Sequence, residues 1–200
     1  DADSFPWDSY AGNYVRDTAP GLKILLRVDT PPGWANSYSG DRTPPNNPAD
    51  YGDFMQALAT FLRGKVAAYE IWNEPNIYPE WGEATISPEA YTELLKVGAE
   101  RARAVDSDVV IISGALASTI DLDGIHVPGH NFNDLTFLQR MYDAGAAPYF
   151  DVLAMQGYGL WSGPTDRRMR PRVLNFSRPL YLREIMVQNG DADKPIWITE

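Results

Sequence analysis

The sequence predicts an α/β fold built on a parallel sheet, and the first reason is a set of five short apolar runs. Each run is rich in residues that favour β-strands and is apolar on both faces, which is typical of strands that helices cover on either side. The runs start about 40–45 residues apart, the room that a strand, a loop and a helix need in successive βαβ units. They are KILLRVD (23–29), VAAYEIWN (66–73), DVVIISG (108–114), FDVLAMQG (150–157) and PIWITE (195–200).

Helical patterns alternate with these runs and give the second reason. Asn47 is a good N-cap because Pro48 follows it at the first helical position, and Gly64 marks the end of that helix. The other predicted helices begin at Asp8, Ser87 and Asn133 and run over 178–189. The predicted order is therefore one helix, four strand–helix units and a last strand.

The loops differ in length between the two ends of the predicted strands. Loops that return from helix to strand are short, whereas those that follow the strands are long: 30–47, 74–87, 115–133 and 158–177. In parallel barrels the loops after the strands build the active site. This asymmetry favours a (β/α)8 barrel, incomplete in this chain. A doubly wound open sheet has the same element order and stays an alternative, although no Gly-rich phosphate loop follows any run.

The composition limits the partners that this chain can have. Its 17 Lys and Arg against 27 Asp and Glu give a net charge of −10, which disfavours nucleic acid because affinity for phosphates comes from basic residues. No run reaches the length of about 18 apolar residues that a membrane span needs, so no membrane partner is predicted. The 6 Trp and 11 Tyr offer flat apolar surfaces of the kind on which sugar rings stack.

Two glutamates stand where predicted strands end. Glu74 follows the second run and Glu200 ends the fifth, so both side chains are expected at the mouth of a barrel. Hydrolysis of a glycosidic bond with retention needs one carboxyl that donates a proton and one that attacks, about 5–5.5 Å apart, whereas inversion needs about 6.5–9.5 Å. A pair of strand-end carboxyls across a barrel mouth can meet this demand, which indicates a glycosidase.

At these residues the sequence resembles a known group of enzymes. WNEP at 72–75 and PIWITE at 195–200 are similar to the strand ends of clan A glycoside hydrolases, above all family 39-like and family 5-like enzymes. The resemblance implies an acid/base at the end of the fourth barrel strand, which is Glu74 here, and a nucleophile at the end of the seventh, which is Glu200. It therefore implies that residues 1–200 are one partial barrel domain, with strands three to seven present and the first two and the last missing.

The resemblance also implies substrate-binding roles for neighbouring residues. Asn73 corresponds to the asparagine that contacts the sugar 2-hydroxyl, and Tyr158 to an aromatic hydroxyl that orients the nucleophile. Trp34 corresponds to an aromatic residue that packs near the sugar, and Trp161 is a further candidate on the same rim. Where many members carry a His, this chain reads Gln156, so that contact departs from the pattern.

Other chemically suggestive residues have ordinary interpretations beside the functional ones. Arg27 and Glu70 lie in mid-strand, where a charge could tune Glu74, but a paired structural network is the preferred interpretation because buried charges need partners. His126 and His130 have the spacing of a metal pair but lack a nearby third ligand, so no metal site is predicted. Trp81, like Trp161, is a candidate for an aromatic on the rim.

Together these features predict a retaining glycoside hydrolase that acts through a covalent glycosyl-enzyme, and the resemblance implies β-linked substrates. The expected substrate is an oligosaccharide, a polysaccharide or another glycoside, and the chemistry needs no cofactor. Two alternatives stay open: a barrel that only binds carbohydrate, and a transglycosidase that passes the sugar to another sugar.

Overall fold

The computed structural model describes residues 21–38, 42–120, 131–160 and 162–200, and in these ranges five strands follow one another in chain order. They are β1 (Ile24–Val28), β2 (Val66–Asn73), β3 (Val110–Ala115), β4 (Leu153–Met155) and β5 (Ile196–Ile198). All neighbouring strands pair in parallel, β1 with β2, β2 with β3 and β4 with β5. Single parallel bridges from Ile112 to Val152 and from Leu116 to Met155 join β3 to β4. The described strands therefore lie side by side in the order β1 to β5.

The predicted helices lie between these strands. They are α1 (Pro48–Phe61), α2 (Pro88–Val105), α3 (Asp134–Asp143) and α4 (Arg178–Gln188), with a short 3-10 turn at Ala147–Tyr149. Three predicted caps are formed, because side-chain oxygens of Asn47, Ser87 and Asn133 accept hydrogen bonds from backbone N–H groups of the first helical turns. The helix predicted from Asp8 lies outside the described residues.

The sheet is strongly curved, as a hydrogen bond and an ion pair between distant strands indicate. Strands in a sheet lie about 4.8 Å apart, so in a flat sheet β2 and β5 would be about 14 Å from each other. The short side chain of Thr199, just after β5, nevertheless donates to Glu70 Oε1 on β2 across 3.3 Å. Arg27 Nη1 on β1 lies 3.6 Å from Glu200 Oε2, beyond β5. The sheet therefore closes toward itself, and β1 and β5 line one cavity of about 690 Å³.

This curvature distinguishes between the two folds that the sequence left open, the parallel barrel and the doubly wound open sheet. An open doubly wound sheet reverses its strand order at a switch point, where ligands bind. The described strands show no reversal, and their first and last members approach each other across the concave face. Both properties are those of a parallel β/α barrel, and the described residues are consistent with a part of one.

Helices α1 and α2 pack closely against the outer face of β1 and β2. A Cβ atom at Gly98 would lie 2.9 Å from Tyr51 Cε1 and 3.3 Å from Ile71 Cδ1, so only glycine lets α2 approach this closely. The Tyr51 hydroxyl donates to the carbonyl of Val28 across 2.9 Å, and that of Tyr91 donates to the carbonyl of Ile71 across 3.0 Å. These bonds fix each helix at the carboxyl ends of the strands, where the site lies.

A chain of aromatic rings lies beneath the loop that follows β2. Trp72 packs edge-on against Trp81 with ring centroids 5.7 Å apart, and Trp81 packs against Tyr91 at 6.0 Å. Trp81 is only 2% exposed, and its Nε1 donates to the carbonyl of Thr85. The prediction of Trp81 as an aromatic on the rim is therefore wrong: the residue is part of the core that supports the loop.

Within the part of the chain that the structure describes, no helix combines the length and the apolar character needed to cross a bilayer.

A buried ion pair ties the loops after β3 and β4 to the helices. Arg178, at the start of α4, is fully buried and donates from Nε to Asp134 Oδ2 across 2.9 Å, with a second contact from Nη2 to Oδ1. The same guanidinium donates to the carbonyls of Thr119 at 3.1 Å and Pro171 at 2.6 Å. One side chain thus holds two of the strand-end loops in place.

We expect Arg178→Met to lower the free energy of unfolding by about 3–5 kcal/mol, because it leaves the Asp134 carboxyl buried without its partner. A matched control is Arg101→Met, which removes an exposed pair with Asp53 and an exposed hydrogen bond to Gln56 and should cost less than about 1 kcal/mol. Urea denaturation followed by circular dichroism measures both. Equal stability of the two variants would contradict a structural role for the buried pair.

Candidate active site

The backbone at the end of β2 is turned sharply, and this aims Glu74 at the concave face. Trp72 and Glu74 have positive φ angles of 72° and 41°, a region that side-chain-bearing residues adopt at a cost of about 1–3 kcal/mol each. Two bonds hold this conformation: the Glu74 N–H donates to the carbonyl of Ala115 across 3.0 Å, and Trp72 Nε1 donates to the carbonyl of Glu80 across 2.8 Å. Such strain is concentrated at functional sites in proteins.

Glu74 lies in an environment that favours its protonated form. Burial raises the pKa of the Glu74 carboxyl above its ordinary value, and the negative charge of Glu200 raises it as well. A hydrogen bond with the Gln156 side chain and the charges of Arg27 and Arg42 act in the opposite direction without cancelling this shift. Glu74 therefore has the properties of a proton donor.

Glu200 lies in the opposite environment. The Tyr158 hydroxyl donates to Glu200 Oε1 across 2.5 Å, and this bond is the main cause that holds the pKa of the carboxyl below its ordinary value. Gln156 Nε2 donates to Oε2 across 3.2 Å, and the Arg27 guanidinium lies 3.6 Å from the same oxygen. The Glu200 side chain is 50% exposed to solvent. Glu200 is therefore an ionised, accessible carboxylate with the properties of a nucleophile.

Gln156 and Arg27, which come from different strands, both contact Asn73 Oδ1 and Glu200 Oε2. Gln156 Nε2 lies 3.3 Å from Asn73 Oδ1 as well as 3.2 Å from Glu200 Oε2. Arg27 Nη1 donates to Asn73 Oδ1 across 3.1 Å and reaches the same oxygen of Glu200. Gln156 is fully buried, and among the described residues its Oε1 is the buried side-chain polar atom without a hydrogen-bond partner. Asn73 and Glu200 are thus joined through Gln156.

A glycine places two side chains on either side of Glu200. A Cβ at Gly157 would lie 2.4 Å from Ile198 Cγ2, so only glycine fits between the ends of β4 and β5. The Gly157 N–H donates to the carbonyl of Glu200 across 2.9 Å. As a result Gln156 and Tyr158 both contact the carboxylate of Glu200.

The amide of Asn73 is held at both ends. Its Oδ1 accepts from Arg27 and Gln156, and its Nδ2 donates to Glu80 Oε2 across 3.1 Å. Glu80 in turn forms an ion pair with Arg42 from the loop after β1. Sequence reasoning missed Glu80 and Arg42, since neither lies at a strand end or in a recognised motif.

The structure therefore brings together Glu74, Glu200, Asn73 and Tyr158 among the predicted site residues. Trp34 is 52% exposed on the loop after β1, and its contact with a sugar stays a prediction. The candidates Trp161, His126 and His130 lie outside the described residues.

The two mid-strand charges have different roles. Glu70 is buried and its Oε1 accepts from the backbone N–H of Ala115 and from Thr199, so the structural interpretation is confirmed for this residue. Arg27 pairs with Asp29 and also reaches Asn73 and Glu200, and its charge acts to lower the pKa of Glu74, in line with the functional alternative for this residue. In the ranges 21–38, 42–120, 131–160 and 162–200, no three His, Cys, Asp or Glu side chains are grouped so that they could hold a metal ion.

The fold and the site define a class of structure: a curved parallel β/α sheet with two carboxyls at strand ends. No protein-family model matches the chain, and no curated protein matches it. The chain is similar in structure to a glucosidase from Croceicoccus marinus, with a TM-score of 0.70 and 16% identity over 99% of this chain and 38% of that one.

Two further solved structures are similar. A monomeric β-xylosidase from Caulobacter crescentus CB15 has a TM-score of 0.65 and 20% identity, over 98% of this chain and 40% of that one. A family 39 glycoside hydrolase from Bacteroides cellulosilyticus WH2 has a TM-score of 0.52 and 22% identity, over 82% and 32%. This chain spans 38% and 40% of the length of the first two relatives. At these identities the likeness establishes the fold, which is the one found in these glycosidases.

We expect Tyr158→Phe to raise the pKa of the Glu200 carboxyl, because the variant removes the hydroxyl whose hydrogen bond is the main cause of the lowered value. Glutamate ¹³C NMR measures this as a titration midpoint that moves to higher pH. Tyr149→Phe, in the 3-10 turn before β4, is the control and should leave the midpoint unchanged. An identical midpoint in wild type and Tyr158→Phe would contradict the assigned bond.

Proposed function

We propose that this chain carries the active site of a retaining glycoside hydrolase, with Glu74 as acid/base and Glu200 as nucleophile. The observation that carries this proposal is the opposite tuning of two carboxyls that contact one side chain, Gln156: the pKa of Glu74 is raised and that of Glu200 is lowered. Pairs of titratable groups whose environments push their pKa values apart are typical of acid and base assignments in enzymes. The glucosidase and xylosidase relatives support the same class of reaction at the level of fold.

In the first step Glu200 attacks the anomeric carbon while Glu74 gives its proton to the leaving oxygen. A covalent bond forms between a carboxylate oxygen of Glu200 and the sugar, and the bond to the leaving oxygen breaks. Tyr158 and Gln156 keep Glu200 ionised and oriented for this attack. Glu74 starts protonated because its pKa is raised by burial and by the neighbouring carboxylate.

In the second step water attacks the glycosyl-enzyme. Once Glu200 is esterified it has lost its negative charge, so one of the causes that raise the pKa of Glu74 disappears. Glu74, ionised after the first step, now takes a proton from the attacking water, and the bond to Glu200 breaks. The two steps invert the anomeric carbon twice, which gives retention.

The other predicted residues bind the substrate in this proposal. Asn73 offers its amide to a sugar hydroxyl, and Trp34 offers an aromatic surface on which a sugar ring can stack. Trp161, which lies outside the described residues, stays a candidate for the same role. The substrate class is a β-linked glycoside. The mechanism requires no metal or organic cofactor, since both proton transfer and attack come from carboxyl groups.

We also propose that residues 1–200 form part of a single eight-stranded barrel domain, as strands three to seven. The curvature of the sheet supports this, as does the coverage of 98% and 99% of this chain by longer relatives. The three-strand separation of Glu74 and Glu200 agrees with the assignment.

Substitution of each carboxyl in turn tests the proposal on aryl β-glycosides. Glu200→Gln should abolish turnover because no nucleophile remains. Glu74→Gln should lose about 10²–10⁴-fold in rate with a poor leaving group, and far less with an activated one that needs no proton. Glu93→Gln on the exposed face of α2 is the control and should keep wild-type activity.

Covalent labelling with an activated fluoroglycoside distinguishes catalysis from capture. The account predicts a mass increase located on Glu200 in the wild-type protein. Near-wild-type hydrolysis by Glu74→Gln or Glu200→Gln would overturn the assignment. Binding of saccharide without labelling or turnover would instead support the carbohydrate-binding alternative.

A further inference from the structure

A carboxylate that the mechanism above does not use lies directly beside Asn73. Glu80, in the loop after β2, accepts from Asn73 Nδ2 through Oε2 across 3.1 Å. Its other oxygen, Oε1, contacts the guanidinium of Arg42 from the loop after β1. Its own backbone carbonyl is fixed by the buried indole of Trp72. Glu80 is therefore held from three sides and has one carboxylate oxygen directed at the site.

The amide of Asn73 can bind a ligand through Nδ2, on the side that faces Glu80. Arg27 and Gln156 both donate to its Oδ1, so a ligand can reach this amide through Nδ2, which carries two protons. Next to Nδ2 lies Glu80 Oε2, an acceptor only. A donor and an acceptor 3.1 Å apart match a hydroxyl group, which can accept from the first and donate to the second.

The identity of this hydroxyl follows from the neighbours of Asn73. Asn73 directly precedes Glu74 and shares two donors, Arg27 and Gln156, with Glu200. Under the proposed function Glu200 attacks the anomeric carbon of the sugar. Asn73 lies beside Glu200, so the hydroxyl that it meets is expected on the ring carbon next to the anomeric carbon. The hydroxyl that meets both Asn73 and Glu80 is therefore the 2-hydroxyl.

Arg42 completes this arrangement. Its charge is close enough to act on Glu74, which places the ion pair at the edge of the same site. The side chain of Arg42 is 49% exposed to solvent and that of Glu80 is 14% exposed, so a ligand can reach the pair. By binding Oε1, Arg42 leaves Oε2 directed at Asn73.

We propose that Glu80, aligned by Arg42, accepts a hydrogen bond from the 2-hydroxyl of the substrate and selects neutral sugars in which that hydroxyl is free. This inference rests on the proposed glycosidase function and adds a specificity-determining residue to it. A hydrogen bond between a hydroxyl and a carboxylate is charge-assisted and stronger than a neutral one. Loss of such a bond to a charged partner corresponds to about 10–100-fold in kcat/KM.

The test compares two aryl glycosides that differ only in the presence of the 2-hydroxyl. Glu80→Gln should lower kcat/KM by about 10–100-fold for the hydroxylated substrate and by less than about threefold for its 2-deoxy analogue. Glu83→Gln, an exposed glutamate three residues further along the same loop, should change neither value. Arg42→Met should have the same selective effect as Glu80→Gln. If thermal melting shows that Glu80→Gln does not fold, Arg42→Met is used for the comparison instead.

If Glu80→Gln lowers kcat/KM equally for both substrates while Glu200 is still labelled by a fluoroglycoside, this inference alone is overturned. A purely structural role of Glu80 would affect both substrates alike. A wild-type protein that neither turns over nor becomes labelled would overturn the proposed function, and the role of Glu80 with it.

Discussion

The curvature of the parallel sheet is the constraint on which the rest of the site depends. In a flat sheet the side chains of Thr199 and Glu70 could not meet, and the guanidinium of Arg27 could not reach Glu200. Because the strands turn toward one another, residues that follow different strands share one concave space. The partly buried hydrogen bond from Thr199 to Glu70 ties the end of β5 to β2. Any change that opens the sheet would separate the two carboxyls.

On this scaffold a few donors create two different environments for two chemically identical groups. Glu74 is enclosed after a strained turn, and burial raises its pKa. Glu200 accepts from Tyr158 and lies beside Arg27, which favours its charged form. Gln156 contacts both, and as a neutral amide it keeps the same donors at every pH at which the protein is folded. The two carboxyls therefore differ in environment and not in residue type.

Much of the fold could be predicted because its signals are local. Runs of apolar residues mark the strands, the helix caps at Asn47 and Ser87 are formed as expected, and strand ends located Glu74 and Glu200. The contacts that hold the site could not be predicted in the same way, because Gln156 and Glu80 meet Asn73 only after the strands have been brought together. Burial likewise depends on packing between distant segments, so the sequence could not tell that Trp81 faces the core. Such residues carry no local pattern that distinguishes them from ordinary loop positions.

The central claim is that Glu74 and Glu200 act on one anomeric centre by two successive displacements. The most direct measurement is ¹H NMR of the first sugar released from an aryl β-glycoside, before the anomers equilibrate. The account predicts that the β-anomer appears first and the α-anomer only later, by mutarotation. First appearance of the α-anomer would mean a single displacement by water, and would contradict the nucleophilic role of Glu200.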